Sequence, residues 1–273
     1  MSAWLGPSGN LIEFAHYKGS ASADLDRKVT FTETIGGGRF GQASPTTGLR
    51  TWALSATHMD PSQWAGFDLL AMGAYGDQVR FLEPLALVTN ALSPLKSLPG
   101  LGGNTPGVAG DALAGGLALT EDGARVPSLL SGGGLVSLGN NAPVVPGRKI
   151  TGSFYARGSA VKITFGFFDS EGAYLTGIGG LTTDAPAATL KRHSLTVTVP
   201  SGAAAAYLTV TGASVVAAPA ITWTSKLMPW SRGRGCDKAV IHGISDSTVL
   251  AGHFERQQIA DFDFTVTEVG DGA

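Results

Sequence analysis

The stretch from Val144 to Thr224 constrains the fold more than any other part of the sequence. Four segments there alternate apolar and polar residues: Val144–Gly158, Ala160–Gly177, Lys191–Ala213 and Ala218–Thr224. A period of two sends successive side chains to opposite faces, the pattern of a half-buried strand. Turn residues part the segments, and no helical period intervenes. In FFDSEGAYL, Asp169-Ser170-Glu171-Gly172 supplies the turn of a hairpin. Strands at this spacing without helices between them predict a β-sandwich or jelly roll.

The flanks read as β as well. Val29, Phe31 and Glu33 oppose Thr30, Thr32 and Thr34; Trp52 and Leu54 share one side of their segment; Phe262, Phe264, Val266 and Glu268 share one face near the end. One helix is predicted over Met59–Ala74, with Asp60 as N-cap, Pro61 at the first helical position and a stripe of Trp64, Phe67, Leu70 and Met72. Gln78–Leu92 reads as extended, with Pro84 keeping it out of a central strand. The predicted fold class is mostly β: a sandwich or jelly-roll module inserted in, or appended to, a second small β-rich domain with one short helix.

Glycine, 39 of 273 residues, is dense from Leu98 to Gly134, where charges are sparse and no period is sustained. Such a run is too apolar for a solvated linker and too glycine-rich for a self-supporting element. It is predicted to be a connecting arm over 98–134, lying against another subunit or across a domain boundary. The predicted domains are therefore a discontinuous β domain (1–97 plus 226–273), this arm, and a jelly roll over 135–225.

Composition excludes several functions. Nineteen Lys and Arg against 21 Asp and Glu leave a net charge of −2, with no basic excess for a phosphate backbone. The single cysteine rules out an intrachain disulfide and a cysteine-based zinc cluster. No apolar run is long enough to span a membrane, and the first 20 residues lack a signal-peptide pattern. No nucleophile elbow, phosphate loop or zinc-protease motif is present, and Gly36–Gly41 lacks the phosphate-loop lysine. His242, Asp246, His253 and Glu255 fall near one another at a spacing that fits no standard metal site, and Asp169 and Glu171 suit a hairpin turn better than calcium. No cofactor, metal or catalytic residue is predicted. The three carboxylates of the middle segment, Asp169, Glu171 and Asp184, make a poor glycosidase pair, because two of them sit in one turn.

The aromatic residues say more. Phe154, Tyr155, Phe165, Phe167, Phe168, Tyr174, Tyr207 and Trp223 crowd the middle segment. Flat aromatic faces stack on the apolar faces of sugar rings. One face of each strand must be core. Tyr155, Arg157, Phe168, Tyr174 and His193 are the candidate set for a carbohydrate-binding surface.

The segment from about 115 to 225 resembles the jelly-roll carbohydrate-binding modules of glycan-active proteins. The resemblance rests on the Tyr155-Ala156-Arg157-Gly158 strand, the Phe167–Leu175 hairpin, the paired strands of Arg192–Val210 and the closing Pro219–Thr224. Where such modules often hold a tryptophan, the chain has Leu190-Lys191-Arg192-His193. The layout of the whole chain is similar to the minor tail proteins of siphophages that infect actinobacteria. That likeness rests on Arg50-Thr51-Trp52, Glu83-Pro84-Leu85-Ala86, Asn90-Ala91-Leu92-Ser93-Pro94, the run Pro229–Ile241 and the final Thr267-Glu268-Val269-Gly270. It implies a structural virion protein at the tail tip, made in the host cytoplasm without a signal peptide. Its implied partners are copies of itself and other tail proteins of the tube, hub or tip, with host cell-wall polysaccharide as a further contact; one version is a distal tail protein. The alternatives are a free-standing glycan-binding adhesin and a cell-envelope glycoside hydrolase.

Overall fold

The computed structural model describes residues 2–14, 24–26, 29–33, 39–43, 49–59, 61–76, 78–185, 188–251 and 258–270. Asp60, Gly36–Gly38, His253 and Glu255 lie outside them, as does the side chain of Trp64. The chain is mostly β, as its alternation predicts. In order, the elements are β1 (Ala3–Gly6), β2 (Ile12–Phe14), β3 (Asp24–Asp26), β4 (Val29–Glu33), β5 (Arg39–Ala43), β6 (Leu49–Met59), α1 (Pro61–Ala71), β7 (Val79–Leu82) and α2 (Pro84–Thr89). There follow β8 (Ala109–Leu119), β9 (Arg125–Pro143), β10 (Lys149–Phe168), β11 (Tyr174–Ala185), β12 (Lys191–Thr198), β13 (Ala205–Thr222), β14 (Cys236–Ala251) and β15 (Gln258–Glu268). Two compact units result: residues 1–6, 12–81 and 238–273 form one, and 7–11 with 82–237 the other. These bounds differ from the predicted 1–97 plus 226–273 and 135–225.

The first unit is built on a sheet ordered β2-β1-β7-β14-β15-β6-β3, with β4 and β5 as a separate ribbon. Strands from both flanks of the sequence thus share one sheet. The alternation holds: Trp52, Leu54 and Ala56 on β6 and Phe262, Phe264 and Val266 on β15 are all buried. Phe67 of α1 packs on Phe14, Phe262 and Phe264 at centroid distances of 5.9, 5.1 and 4.7 Å. The helix stops at Ala71, so Met72 is exposed and drops out of the predicted stripe. Gly73, at φ 71°, takes the left-handed conformation common just past a helix end. Arg50 closes the β6–β15 pairing with a two-pronged bond to Glu268, Nε to Oε2 and Nη2 to Oε1, both 2.8 Å.

The second unit is a single antiparallel sheet folded over on itself. Its order is β11-β10-β13-β9-β8, with β12 also pairing β10. β12 lies along Lys149–Ala156 and β11 along Gly158–Phe168 of the same strand. Between those spans the register breaks in β10, and it breaks at matching levels in β13 and β9, between Val210 and Val215 and between Val136 and Leu130. Left-handed backbone marks the line: Ala160 at φ 54°, Gly212 at φ 76° and Gly133 at φ 83°. A Cβ on Gly212 would collide with the Ser159 and Ala160 carbonyls, so the bent strands meet through bare backbone.

The bend brings the two halves of each strand face to face. Ile150 and Phe154 from the first half of β10 share a core with Phe165 and Phe167 from the second. Gly152 records how closely: a Cβ there would lie 2.5 Å from the Phe165 ring and would also strike Leu208. The sandwich is therefore made by bent strands rather than by two separate sheets.

Two predictions fail in this unit. The connecting arm over 98–134 holds β8 and most of β9, paired as Leu113 with Leu130 and Ala114 with Leu129. Glycines at the bends interrupt the period of two, although Leu129 and Val126 are buried. The extended reading of Gln78–Leu92 fails over 84–89, where Pro84 opens α2 instead of ending a strand.

Residues 83–97 and 219–237 of this unit are stitched together. Asn90, fully buried, donates from Nδ2 to the Pro219 and Ser231 carbonyls and accepts at Oδ1 from the Leu92 and Ile221 amides. Arg234 reaches Glu83 at 2.6 Å, Lys96 reaches Asp237 at 3.0 Å, and Ser97 accepts from the Gly233 amide. A Cβ on Gly233 or Gly235 would overlap the backbone of 91–93. The Glu83–Pro94 and Pro229–Cys236 motifs, far apart in sequence, thus form one contact.

Candidate functional site

The five candidate residues do not form one site. The bend in β10 separates Tyr155 and Arg157, before it, from Phe168, after it. Tyr155 is 3% exposed and packs among Val126, Leu190, Val215, Ala217 and Ala218. Its hydroxyl donates to Asp122 Oδ2, and the Arg192 guanidinium lies 5.5 Å above its ring. Burial and the Asp122 carboxylate push its pKa up to about 12. With both faces covered, Tyr155 cannot stack a sugar. Glu121 accepts from the Arg192 amide, and its own amide donates to the Leu190 carbonyl. The tip of the β8–β9 hairpin is therefore pinned to β10 and the start of β12.

His193 sits opposite Phe154 on β12, with rings 5.7 Å apart and nearly parallel. It is half-buried, and burial holds its pKa below the ordinary histidine value. Arg157 lines a groove of about 320 Å³ with Leu117, Leu130, Ala188, Leu190 and Val215. Its Nη1 reaches the Ala188 carbonyl at 3.4 Å.

Phe168 and Tyr174 do meet, as directly opposed residues of the β10–β11 hairpin. Asp169 Oδ1 accepts from the amides of Glu171 and Ala173 and shapes the turn between them. The two rings are 6.1 Å apart and edge-on. Tyr207 of β13, outside the candidate set, is the third member, lying 5.0 Å from Phe168 and nearly parallel to it. Its position in Tyr207–Thr209–Thr211, outward along β13, was the available signal. Beneath these rings Gly166 and Gly177 face each other on β10 and β11. A Cβ on Gly166 would run into the Tyr207 ring, and one on Gly177 would come within 2.7 Å of the Tyr174 hydroxyl. Only glycine leaves room for both side chains to lie down along the sheet.

A second exposed surface is aliphatic. β8 stands at the edge of the sheet, and its Leu113 and Leu117 are 75% and 67% exposed. Leu130 and Leu135 of β9 are exposed too, Leu130 directly opposite Leu113, while Leu117 pairs with Pro127 and faces the other side; Asp111 is the one charged residue of β8.

Among the described residues, no three His, Cys, Asp or Glu side chains gather as metal ligands, and no helix is long and apolar enough to cross a membrane.

No protein-family model matches the chain, and no curated protein does either. Solved structures include β-rich neighbours. The enzymatically active domain of bacteriophage CBA120 tailspike protein 4 is 17% identical at a TM-score of 0.39, over 50% of this chain and 21% of that one. The chain thus spans about a fifth of the length of that solved domain. A carbohydrate-binding module of the β-sandwich superfamily is 13% identical at a TM-score of 0.31, over 81% of this chain and 91% of that one. The Dit protein of phage SPP1, from a hub adsorption apparatus in Gram-positive-infecting phages, is 9% identical at a TM-score of 0.20, over 81% and 98%. These likenesses lend no site residue to the chain.

Proposed function

We propose that the chain is a structural protein of a phage tail tip, in the virion, and that it assembles with copies of itself and neighbouring tail proteins while its sandwich unit touches host cell-wall glycans. It makes and breaks no bond in this role. The observation that carries the reading is the β8–β9 surface. An edge strand offers unpaired backbone groups, and proteins that remain single shield such edges with charge, proline or a covering loop. Here the edge carries bare leucines and one carboxylate. Exposed leucines along an edge strand suit burial against another chain.

Association measured by light scattering across a concentration series tests this. The wild-type chain is expected to self-associate, and the Leu113→Lys/Leu117→Lys double variant to remain monomeric with an unchanged melting temperature. A wild-type chain that stays monomeric at high concentration and binds no tail protein overturns the reading.

The aromatic cluster favours one alternative, a free-standing glycan-binding adhesin. A monomer that binds polysaccharide would support that reading instead.

A further inference from the structure

We infer that Tyr174, Tyr207 and Phe168 form a platform for the pyranose rings of a neutral polysaccharide, on the outward face of the sheet at its hairpin end. The inference rests on the glycan contact proposed above and gives it a place.

Four observations converge. First, the three rings lie outside both buried clusters of this unit, so core packing does not account for them. Tyr174 is 58% exposed, and Phe168 and Tyr207 are half-buried. Second, the paired Gly166 and Gly177 leave a floor without side chains, onto which Tyr207 and Tyr174 settle from either side. The result is a low, broad aromatic surface rather than separate projecting rings. Third, among the described residues no protein group bonds to the Tyr174 or Tyr207 hydroxyl, so both are available to a ligand. Fourth, the strip continues with Thr164, paired to Gly179, and with the Lys162 stem, 3.3 Å from where a Gly179 Cβ would stand.

The chemistry favours a sugar over a protein partner. A pyranose has apolar C–H faces and a rim of hydroxyls, which match aromatic faces bordered by phenol and ammonium donors. The strip also differs from the β8 edge in its chemistry: its rings stand mainly over β10 and β13, which are paired on both sides, and only Tyr174 comes from an edge strand, β11. The Asp169–Gly172 turn joins Phe168 to Tyr174, and the Asp169 carboxylate is occupied with its backbone bonds. One lysine against the acids of this turn leaves no cationic surplus for an anionic polymer.

Titration calorimetry with cellohexaose, xylohexaose, laminarihexaose and β-1,4-mannohexaose tests the platform. The wild-type chain is expected to bind at least one of them. Tyr174→Ala should weaken that binding at least tenfold, and Tyr174→Phe less, because the ring remains. Tyr174 is exposed, so the fold should hold, as checked by circular dichroism. Tyr207→Phe tests the second ring without opening the space over Gly166. Binding that both Tyr174 variants leave unchanged overturns the platform while sparing glycan contact elsewhere on the chain. A wild-type chain that binds none of the four overturns the platform. Neither result bears on self-association. Loss of self-association in Tyr174→Ala would mark the face as a protein interface and overturn the platform.

Discussion

The sandwich unit exposes two apolar surfaces on one sheet, and they differ in kind. The β8–β9 edge offers branched aliphatic side chains on an edge strand whose last residues are bridged to Leu190. The Phe168–Tyr174–Tyr207 face offers flat rings, two of them with hydroxyls, over β10 and β13, which are paired on both sides, and the edge strand β11. Aliphatic groups gain by being enclosed and have no polar feature to orient a ligand. Rings bearing hydroxyls can orient one. The proposed reading gives a protein partner to the first surface and a sugar to the second. Exposed apolar area becomes informative once its polar rim is included.

The sharpest way to break the contrast is to remove the framework both surfaces share. Gly152→Val would drive side-chain atoms into Phe165 and Leu208 inside the folded-over sheet. Overpacking of this kind costs about 1–3 kcal/mol, and a layer contact this close should place it at the upper end. Urea unfolding should show the loss, and self-association and sugar binding should weaken together. If one survives intact, the surfaces do not share a framework.

A smaller effect should separate them. Tyr155→Phe deletes the hydroxyl that holds Asp122 and frees the tip of the β8–β9 hairpin. A loss of about 1–2 kcal/mol is expected, with faster hydrogen exchange at 120–124 and altered self-association. Sugar binding at the far end of β10 should not change. The same hydroxyl predicts alkaline behaviour. Its pKa is raised to about 12 in the folded chain, so its stabilisation is complete below pH 10, the ordinary tyrosine value, and fades as pH rises toward 12. Tyr155→Phe should flatten that decline.

The smallest effect is expected at His193. Its folded pKa is lowered by burial, so below about pH 6.5 the unfolded chain takes up a proton that the folded chain refuses. Stability should therefore fall as pH drops below that value, and His193→Gln should reduce the slope of melting temperature against pH. Sugar binding by the Tyr174 face should be insensitive to this substitution, because His193 packs on Phe154 instead.

Much of the fold was legible in the residues. Alternation found the strands around Trp52, Phe165, Tyr207 and Phe264, and the Asp169–Gly172 tetrad identified the hairpin turn. Misreadings arose where glycine carries structure without showing a period. Leu113 and Leu130 pair across β8 and β9, yet the bends beside them erase the alternation. At the site, residue type singled out Phe168 and Tyr174. It could not show that Tyr155 lies beneath Arg192, or that Tyr207 completes the cluster.

What the sequence alone determined is the β character of the chain, its hairpin turn and its lack of a basic excess, because periodicity, turn chemistry and composition can be read without the fold. Which aromatic faces are covered, and where the strands bend, was decided only in three dimensions. Those outcomes depend on contacts between residues such as Gly152 and Phe165, Asn90 and Ser231, or Gly166 and Tyr207, and each is set by how the sheet folds onto itself.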